Sequence, residues 1–317
     1  LFVGCELRLA GRAKLWYLCR NLRLRREARK VGRGSMFSMR YYSPAPPLRR
    51  LLSSYYVVEV GEARITDMMR AELPNVRFVI RGRSALTWPD GSVRSGDGAS
   101  LFGPRCLPLG MALEGPALVF GAGSMPDGWR RCGGVDSDEM ADEMLPLEDL
   151  AGSRARSALC RMRNGASDDD LVAAADAFFL SLARRHAARQ DPGFGMLVED
   201  WLVRGSPGGI DGLIANADRS ARQVERLCRR TYGAPPKLLM RKYRALRAAV
   251  GISLDPGAHW LDLAGEEFYD QSHFIREFRT FVGMTPTQFA DAGAAVMSHS
   301  IRLRRQLPTL PRLSLVS

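Results

Sequence analysis

FYDQSHFIREFRTFVG, Phe268 to Gly283, is a helix with both of its ends written into it. Asp270 suits the N-cap, where a carboxylate accepts from the free N–H groups of the first turn. Phe274, Phe278, Phe281 and Val282 recur at i, i+4, i+7 and i+8, one helical face. Ser272, Arg276 and Arg279 fall on the opposite face. Gly283 can adopt the left-handed conformation that ends a helix, and Pro286 stops its continuation. Taken alone, these sixteen residues describe an amphipathic surface helix of about three turns.

Fifty residues earlier the pattern occurs again, in SARQVERLCRRTYGAPP, Ser220 to Pro236. Ser220 is its cap, and Gln223 completes a capping box. Val224, Leu227, Cys228 and Thr231 form the inner face; Arg222, Arg226 and Arg229 form the outer one. At an offset of 50, Ser220 falls on Asp270, Val224 on Phe274, Arg226 on Arg276, Cys228 on Phe278, and Arg229 on Arg279. Gly233 falls on Gly283 and Pro236 on Pro286. Caps, core positions, arginines and stop signals in one register define an internal repeat, which a single surface helix does not explain.

KLLMRKYRALRAAV, Lys237 to Val250, joins the two copies with apolar residues at helical spacing and no internal Pro or Gly. GGIDGLIANAD precedes the first copy and HWLDLAGEEFY the second, each able to supply a supporting helix and turn. Gly212 weakens the first of these by about 1 kcal/mol relative to alanine. The pattern is two helix-turn-helix units on one connecting helix, and such a unit presents the start of its second helix to base edges in the DNA major groove.

WLDLAGEEFYDQSHFIREFRTFVGMTPTQF resembles the C-terminal signature of the AraC/XylS transcriptional regulators, in its DQSHF core, its arginine-bearing helix and its G-x-T-P-x-x-F ending. SARQVERLCRRTYGAPPKLLMRKYRALRA is similar to the same family's first recognition helix and linker helix. The resemblance covers about Ile210 to Phe289. It departs from the family pattern at Glu267, where a glycine is usual, and at Ile214 and Arg219, where a small and an apolar residue are usual. It implies that Arg222, Gln223 and Arg226 read DNA from the first helix, and Gln271, Ser272, Arg276 and Arg279 from the second. His273 and Phe274 match family positions that are structural.

The formal net charge is +12, with an isoelectric point near 9.9. Its distribution tempers the inference of a polyanionic partner. Residues 1–35 carry eight Arg, two Lys and two Glu, and the stretch from Ile301 adds four Arg and no acid, which leaves about zero for residues 36–300. Between Asp211 and Ala290, twelve Lys and Arg face nine Asp and Glu, and the arginines cluster on the repeated helices. The first 35 residues lack the apolar core of a signal peptide and read either as a basic amphipathic helix or as an extension ahead of a true start at Met36 or Met39. No later segment approaches 18 consecutive apolar residues, the length of a membrane span. Six cysteines stand without a C-x-x-C pair, as expected of reduced cytosolic thiols, with Cys228 in the core.

Between Met36 and about Val135, short apolar runs (SSYYVVEV, VRFVI, ALVFGAG) alternate with LPN, WPDGS, SGDG, FGP and EGP, the punctuation of a compact domain of short antiparallel strands. YYSPAPPLRRLLSSYY and LFGPRCLPLGMALEG resemble sensor domains attached to some family members. From Asp136 to Gly205 the pattern turns helical; DSDEMADEM (136–144) reads as a solvated helix start, and Leu171, Val172, Phe178, Phe179 and Leu182 as a face that packs on the β domain or, alternatively, pairs with a second subunit. Gly121-Ala122-Gly123 lacks the third glycine of a dinucleotide loop and reads as a bend. The four histidines (186, 259, 273, 299) all lie outside the β region, which argues against a metal site there, and no nucleophile–base pair stands out.

The expected fold is α+β and multidomain. It comprises a basic extension (1–35), a small β-rich sensor or assembly domain (36–135), a helical linker region (136–205), an all-α domain with two helix-turn-helix units joined by a long helix (206–290), and a basic tail (291–317). The expected function is a cytoplasmic, sequence-specific, DNA-binding transcription regulator, without enzymatic activity, cofactor or metal, modulated through its N-terminal domain. Its main partner is double-stranded DNA; RNA polymerase, a small-molecule effector and a second subunit are further candidates, and a membrane is not. The rival reading is a ligand-binding or enzymatic β domain whose C-terminal helices serve protein contacts.

Overall fold

Alternation of inward and outward side chains builds the N-terminal half. The computed structural model describes residues 37–184, 192–257, 268–291, 296–307 and 310–317. Its strands are β1 (Phe37–Tyr42), β2 (Leu52–Val60), β3 (Arg64–Met69), β4 (Asn75–Thr87), β5 (Val93–Ser95), β6 (Gly98–Phe102), β7 (Leu109–Ser124) and β8 (Met144–Pro146). They form one antiparallel sheet in the order β1-β2-β7-β4-β6-β8, with β3 added to β7 and β5 to β4. β7 is its spine: Leu109–Glu114 pair with β3 and Ala117–Ser124 with β2, while β4 runs along the other edge.

Helices follow: α1 (Pro126–Gly133), α2 (Leu147–Ala151), α3 (Ser153–Arg163), α4 (Asp168–Ala183), α5 (Pro192–Val203), α6 (Gly209–Ala217), α7 (Ala221–Tyr232), α8 (Pro236–Leu254), α9 (Gln271–Val282), α10 (Pro286–Asp291), α11 (Val296–Arg304) and α12 (Arg312–Val316). Because side chains alternate along a strand, the sheet has two distinct faces. Tyr55, Val57, Val76, Phe78, Phe120 and Ala122 share a core with α3 and α4. Within it Phe178 meets Phe78 edge-on at 5.8 Å and Phe179 stacks on Tyr55 at 6.1 Å, so the apolar face of α4 packs on the sheet, as its sequence predicts. Val58, Val79, Leu113 and Val119 face the other way and gather Val296 of α11. A third core joins α5 to α10 and takes in Ala71, Leu73, Cys106 and Met125 from the sheet side, so the two halves share buried surface.

Three expectations are corrected. EGP does not turn the chain: β7 continues through Gly115 and Pro116, whose bond is cis, and β4 absorbs the irregularity opposite with register shifts between Val79 and Arg83. Gly82 there has φ of 82°, and an added Cβ would lie 2.5 Å from that of Ala117, so the bulge needs glycine. Gly121-Ala122-Gly123 is strand, not bend; a Cβ on Gly121 would sit 2.0 Å from the Tyr56 ring, so the glycine admits that ring. DSDEMADEM is turn and strand, not a helix start. Asp142 takes φ of 62° and accepts from the backbone N–H of Cys106 and Leu107 at 2.7 and 2.9 Å, and Leu145 then pairs with Leu101 in the sheet. The readings of residues 1–35 and of the supporting segment before Phe268 lie outside the described residues, apart from Phe268 and Tyr269.

Candidate nucleic-acid interface

The repeat in sequence is a repeat in structure. α7 and α9 are each twelve residues long. Ser220 accepts from the N–H of Gln223, and the Ser220 N–H donates in return to Gln223 Oε1 at 2.9 Å, which is the capping box; Asp270 accepts from the N–H of His273 at 2.7 Å. Gly233 and Gly283 end the helices in the left-handed conformation, at φ of 76° and 90°. Val224 and Phe274 are buried, as are Cys228 and Phe278 and the pair Tyr232 and Val282. The prolines differ from expectation in one respect: Pro236 and Pro286 each also open the following helix, α8 and α10.

α6, a three-residue turn and α7 make the first helix-turn-helix, and Asp218 supplies the turn with φ of 48°. Gly212 is tolerated within α6. The connecting helix α8 runs from 236 to 254, longer at both ends than its periodicity predicts, and at 1.5 Å per residue spans about 28 Å. α9 is fastened to it by a contact that no short-range pattern reveals. Glu277, only 6% exposed at its side chain, accepts from Arg241 Nη2 at 2.6 Å and Arg244 Nη2 at 3.3 Å. Burial pushes this carboxyl upward, but the Arg241 hydrogen bonds and the charges of Arg241 and Arg244 outweigh that and hold it below its ordinary value. Behind it, Phe268, Phe274, Phe278 and Phe289 meet edge-on in a chain at 5.0–5.7 Å.

The β domain clasps the back ends of both repeated helices. At α7, Arg230 Nε donates to Asp136 at 2.8 Å, while Ser137 donates through its N–H to Arg230 O and through its hydroxyl to Thr231 O, both at 2.9 Å. At α9, the Ala71 N–H donates to Phe281 O at 2.7 Å. The sheet side leaves no room for a side chain at either stop glycine: an added Cβ would lie 2.6 Å from Pro104 at Gly233, and 2.5 Å from Met68 and 2.9 Å from Pro108 at Gly283. From α8, Lys242 Nζ donates to Glu72 O at 3.1 Å.

The front ends are open. Arg222, Gln223, Arg226, Gln271, Ser272 and Arg276 are exposed and Arg279 is half-buried. No ion pair engages Arg222, Arg226, Arg276 or Arg279 among the described residues, whereas Arg229 is bound to Glu225 at 2.9 Å. Gln223 has its side-chain oxygen committed to the cap, so its amide N–H₂ is the group left to face outward. His273 accepts from the Tyr269 N–H and meets the Phe268 ring, a structural position. Two helix N-termini, each with guanidinium and amide donors and positive dipole ends, face solvent on a frame held from behind.

Residues 213–292 match the family model described as a helix-turn-helix domain. None of the curated proteins matches the chain by sequence. Among solved structures, ToxT from Vibrio cholerae aligns at 10% identity over 81% of this chain and 98% of its own, with a TM-score of 0.45 in one crystal form. The AraC-like transcriptional activator CuxR aligns at 13% identity over 73% and 91%, with a TM-score of 0.26. No helix of the described residues is long and apolar enough to cross a membrane.

Proposed function

We infer that this protein is a DNA-binding transcription regulator of the AraC type that inserts α7 and α9 into successive major grooves, a reading supported by the helix-turn-helix family model that matches residues 213–292. The reading rests above all on the two exposed helix starts, related by a 50-residue repeat, whose arginines 222, 226, 276 and 279 are committed to no acidic partner among the described residues. Arginine reads guanine bidentately and glutamine reads adenine, so Arg222 and Gln223 specify one box and Gln271, Ser272, Arg276 and Arg279 the other. The sheet domain, seated on the back ends of both helices, is the part through which binding is modulated.

The test is selection of genomic fragments on the purified chain, followed by footprinting. Two protected boxes are expected. Arg222→Ala should relax preference in one box and Arg276→Ala in the other, each weakening specific binding by about 1–3 kcal/mol. Retention of no fragment over competitor DNA would overturn the reading and favour helices used for protein contacts.

A further inference from the structure

Residues 296–317 lie against both halves of the molecule. α11 packs on β1, β3 and α8, and α12 packs on α5 and α8. Val296 is buried with Val58, Val79 and Leu113 of the sheet, whereas Met297, Ile301 and Leu313 are buried in the core that joins α5 to α10. The polar contacts divide in the same way. Tyr41 of β1 and Ser300 share a hydrogen bond of 2.7 Å and Phe37 meets His299 edge-on at 5.6 Å, while Arg312 reaches Asp200 of α5 at 3.9 Å.

One short stretch of the sheet domain grips this segment at two places. Asp67 of β3 accepts from the Met297 N–H at 2.9 Å, so a carboxylate 230 residues away satisfies a donor in the first turn of α11 and faces the positive end of that helix. Arg70, three residues further on, donates to Ser317 O. Arg304, in the last turn of α11, ties α11 to α12, donating to Ser314 O at 2.9 Å and to Ser317 O at 2.7 Å. Arg70 is buried, and a buried guanidinium is costly without acceptors, so its bond to Ser317 is an anchor rather than a surface contact.

The gripping stretch is also the seat of α9. Met68, between Asp67 and Arg70, closes off the space at Gly283, where α9 stops. Ala71, the residue after Arg70, donates to Phe281 O at 2.7 Å, and Glu72 O accepts from Lys242 of α8 at 3.1 Å. Residues 67–72 are therefore held both by 296–317 and by the helices that carry the second reading unit, and cannot shift without breaking bonds to each. We propose that residues 296–317 are a strap that fastens Asp67–Arg70 to α5 and α8 and thereby positions α9 on the sheet domain. Asp67, Arg70 and Arg304 are its positioning residues, acting through α9 and not by touching DNA. The consequence for DNA rests on the DNA-binding reading; the strap does not.

Two substitutions in the full chain test this: Leu313→Ala, which loosens the strap where α12 packs, and Arg304→Met, which cuts the tie between α11 and α12. Arg305→Ser, at an exposed position of the same segment, is the control. Native-state hydrogen exchange is read at Ala71, outside the strap, against Phe178 in the core of α4, so that general destabilisation cancels. In both variants Ala71 should accelerate about tenfold or more over Phe178, and in the control the two should stay at the parent ratio. A ratio within about threefold of the parent in both variants, or a control that moves as far as they do, would overturn the strap. For the positioning of α9, the parent should prefer DNA carrying the two boxes over the same DNA with 5 bp inserted between them. Leu313→Ala should lose at least about threefold of that preference while its affinity for competitor DNA is unchanged; an undiminished preference would overturn the positioning role. A chain in which Ala71 responds as expected but which retains no DNA fragment would overturn the DNA-binding reading and leave the strap standing.

Discussion

Glu277 and Glu199 are carboxyl groups displaced in opposite directions, and they give stability opposite dependences on pH. Glu277 is held below its ordinary value by Arg241 and Arg244, so its contribution is full above that value and is lost as pH falls through it. Glu199 of α5 is pushed up to about 7, by burial first and then by the charge of Asp127. Its favourable state is the protonated one, present in full below its ordinary 4.5 and lost as pH rises through 7, a change of about 3 kcal/mol. Thermal unfolding followed against pH should therefore show Glu199→Gln more stable than the parent at pH 8 and nearly equal to it at pH 4. Glu277→Gln should lose about 3 kcal/mol at pH 7, because two part-buried guanidinium groups lose their anion, and the deficit should shrink below pH 4. Neither effect is legible in the sequence. Glu277 sits 36 residues from Arg241; helical periodicity places it beside Phe274 and Phe281 on the flank of the apolar face, but nothing local in the sequence names the arginines that pair with it.

At the scale of the element, the two faces of α9 should separate stability from the proposed recognition. Phe278 lies fully buried between Phe274 and Phe289, so Phe278→Ala should destabilise by about 3–5 kcal/mol, while Arg276→Ala should leave the melting temperature unchanged and weaken only specific DNA binding. Parent-like stability in Phe278→Ala would mean that the faces are inverted. The stop glycines are a second check. Gly283→Ala must place a side chain at φ of 90° and 2.5 Å from Met68, so it should cost at least 1–2 kcal/mol and loosen the seat of α9 on the sheet domain. Increased hydrogen exchange at Ala71 and Phe281 would report that loosening. Caps, repeat and buried phenylalanines were legible because each is specified within one helical turn or by self-comparison. The course of β7 was not: EGP and GAG carry turn residues, and only the facing Gly82 bulge and the Tyr56 ring explain why strand continues through them.

At the scale of the molecule, the spacing of the two exposed helix starts is fixed three times over. α8 joins the units as one helix of about 28 Å. Glu277 ties α9 to α8 through Arg241 and Arg244. The sheet domain holds the back of α7 at Asp136 and Ser137 and the back of α9 at Ala71. A frame of this kind cannot follow DNA whose boxes move. Successive major grooves on one side of the duplex are 10–10.5 bp apart, about 34–36 Å, and the two boxes should have that centre-to-centre spacing. They need not be palindromic, because the outer residues of the two helices differ. Inserting 5 bp turns one box to the far side, and affinity should fall to that of one unit, about 10–100-fold or 1.4–2.8 kcal/mol. Inserting 10 bp restores the side but doubles the distance, so a single rigid chain should not recover. Gel-shift titrations on the three spacings decide the matter. Affinity that survives the 5 bp insertion would mean that one unit alone reads DNA, and recovery at 10 bp would mean that the two boxes are read by two separate chains.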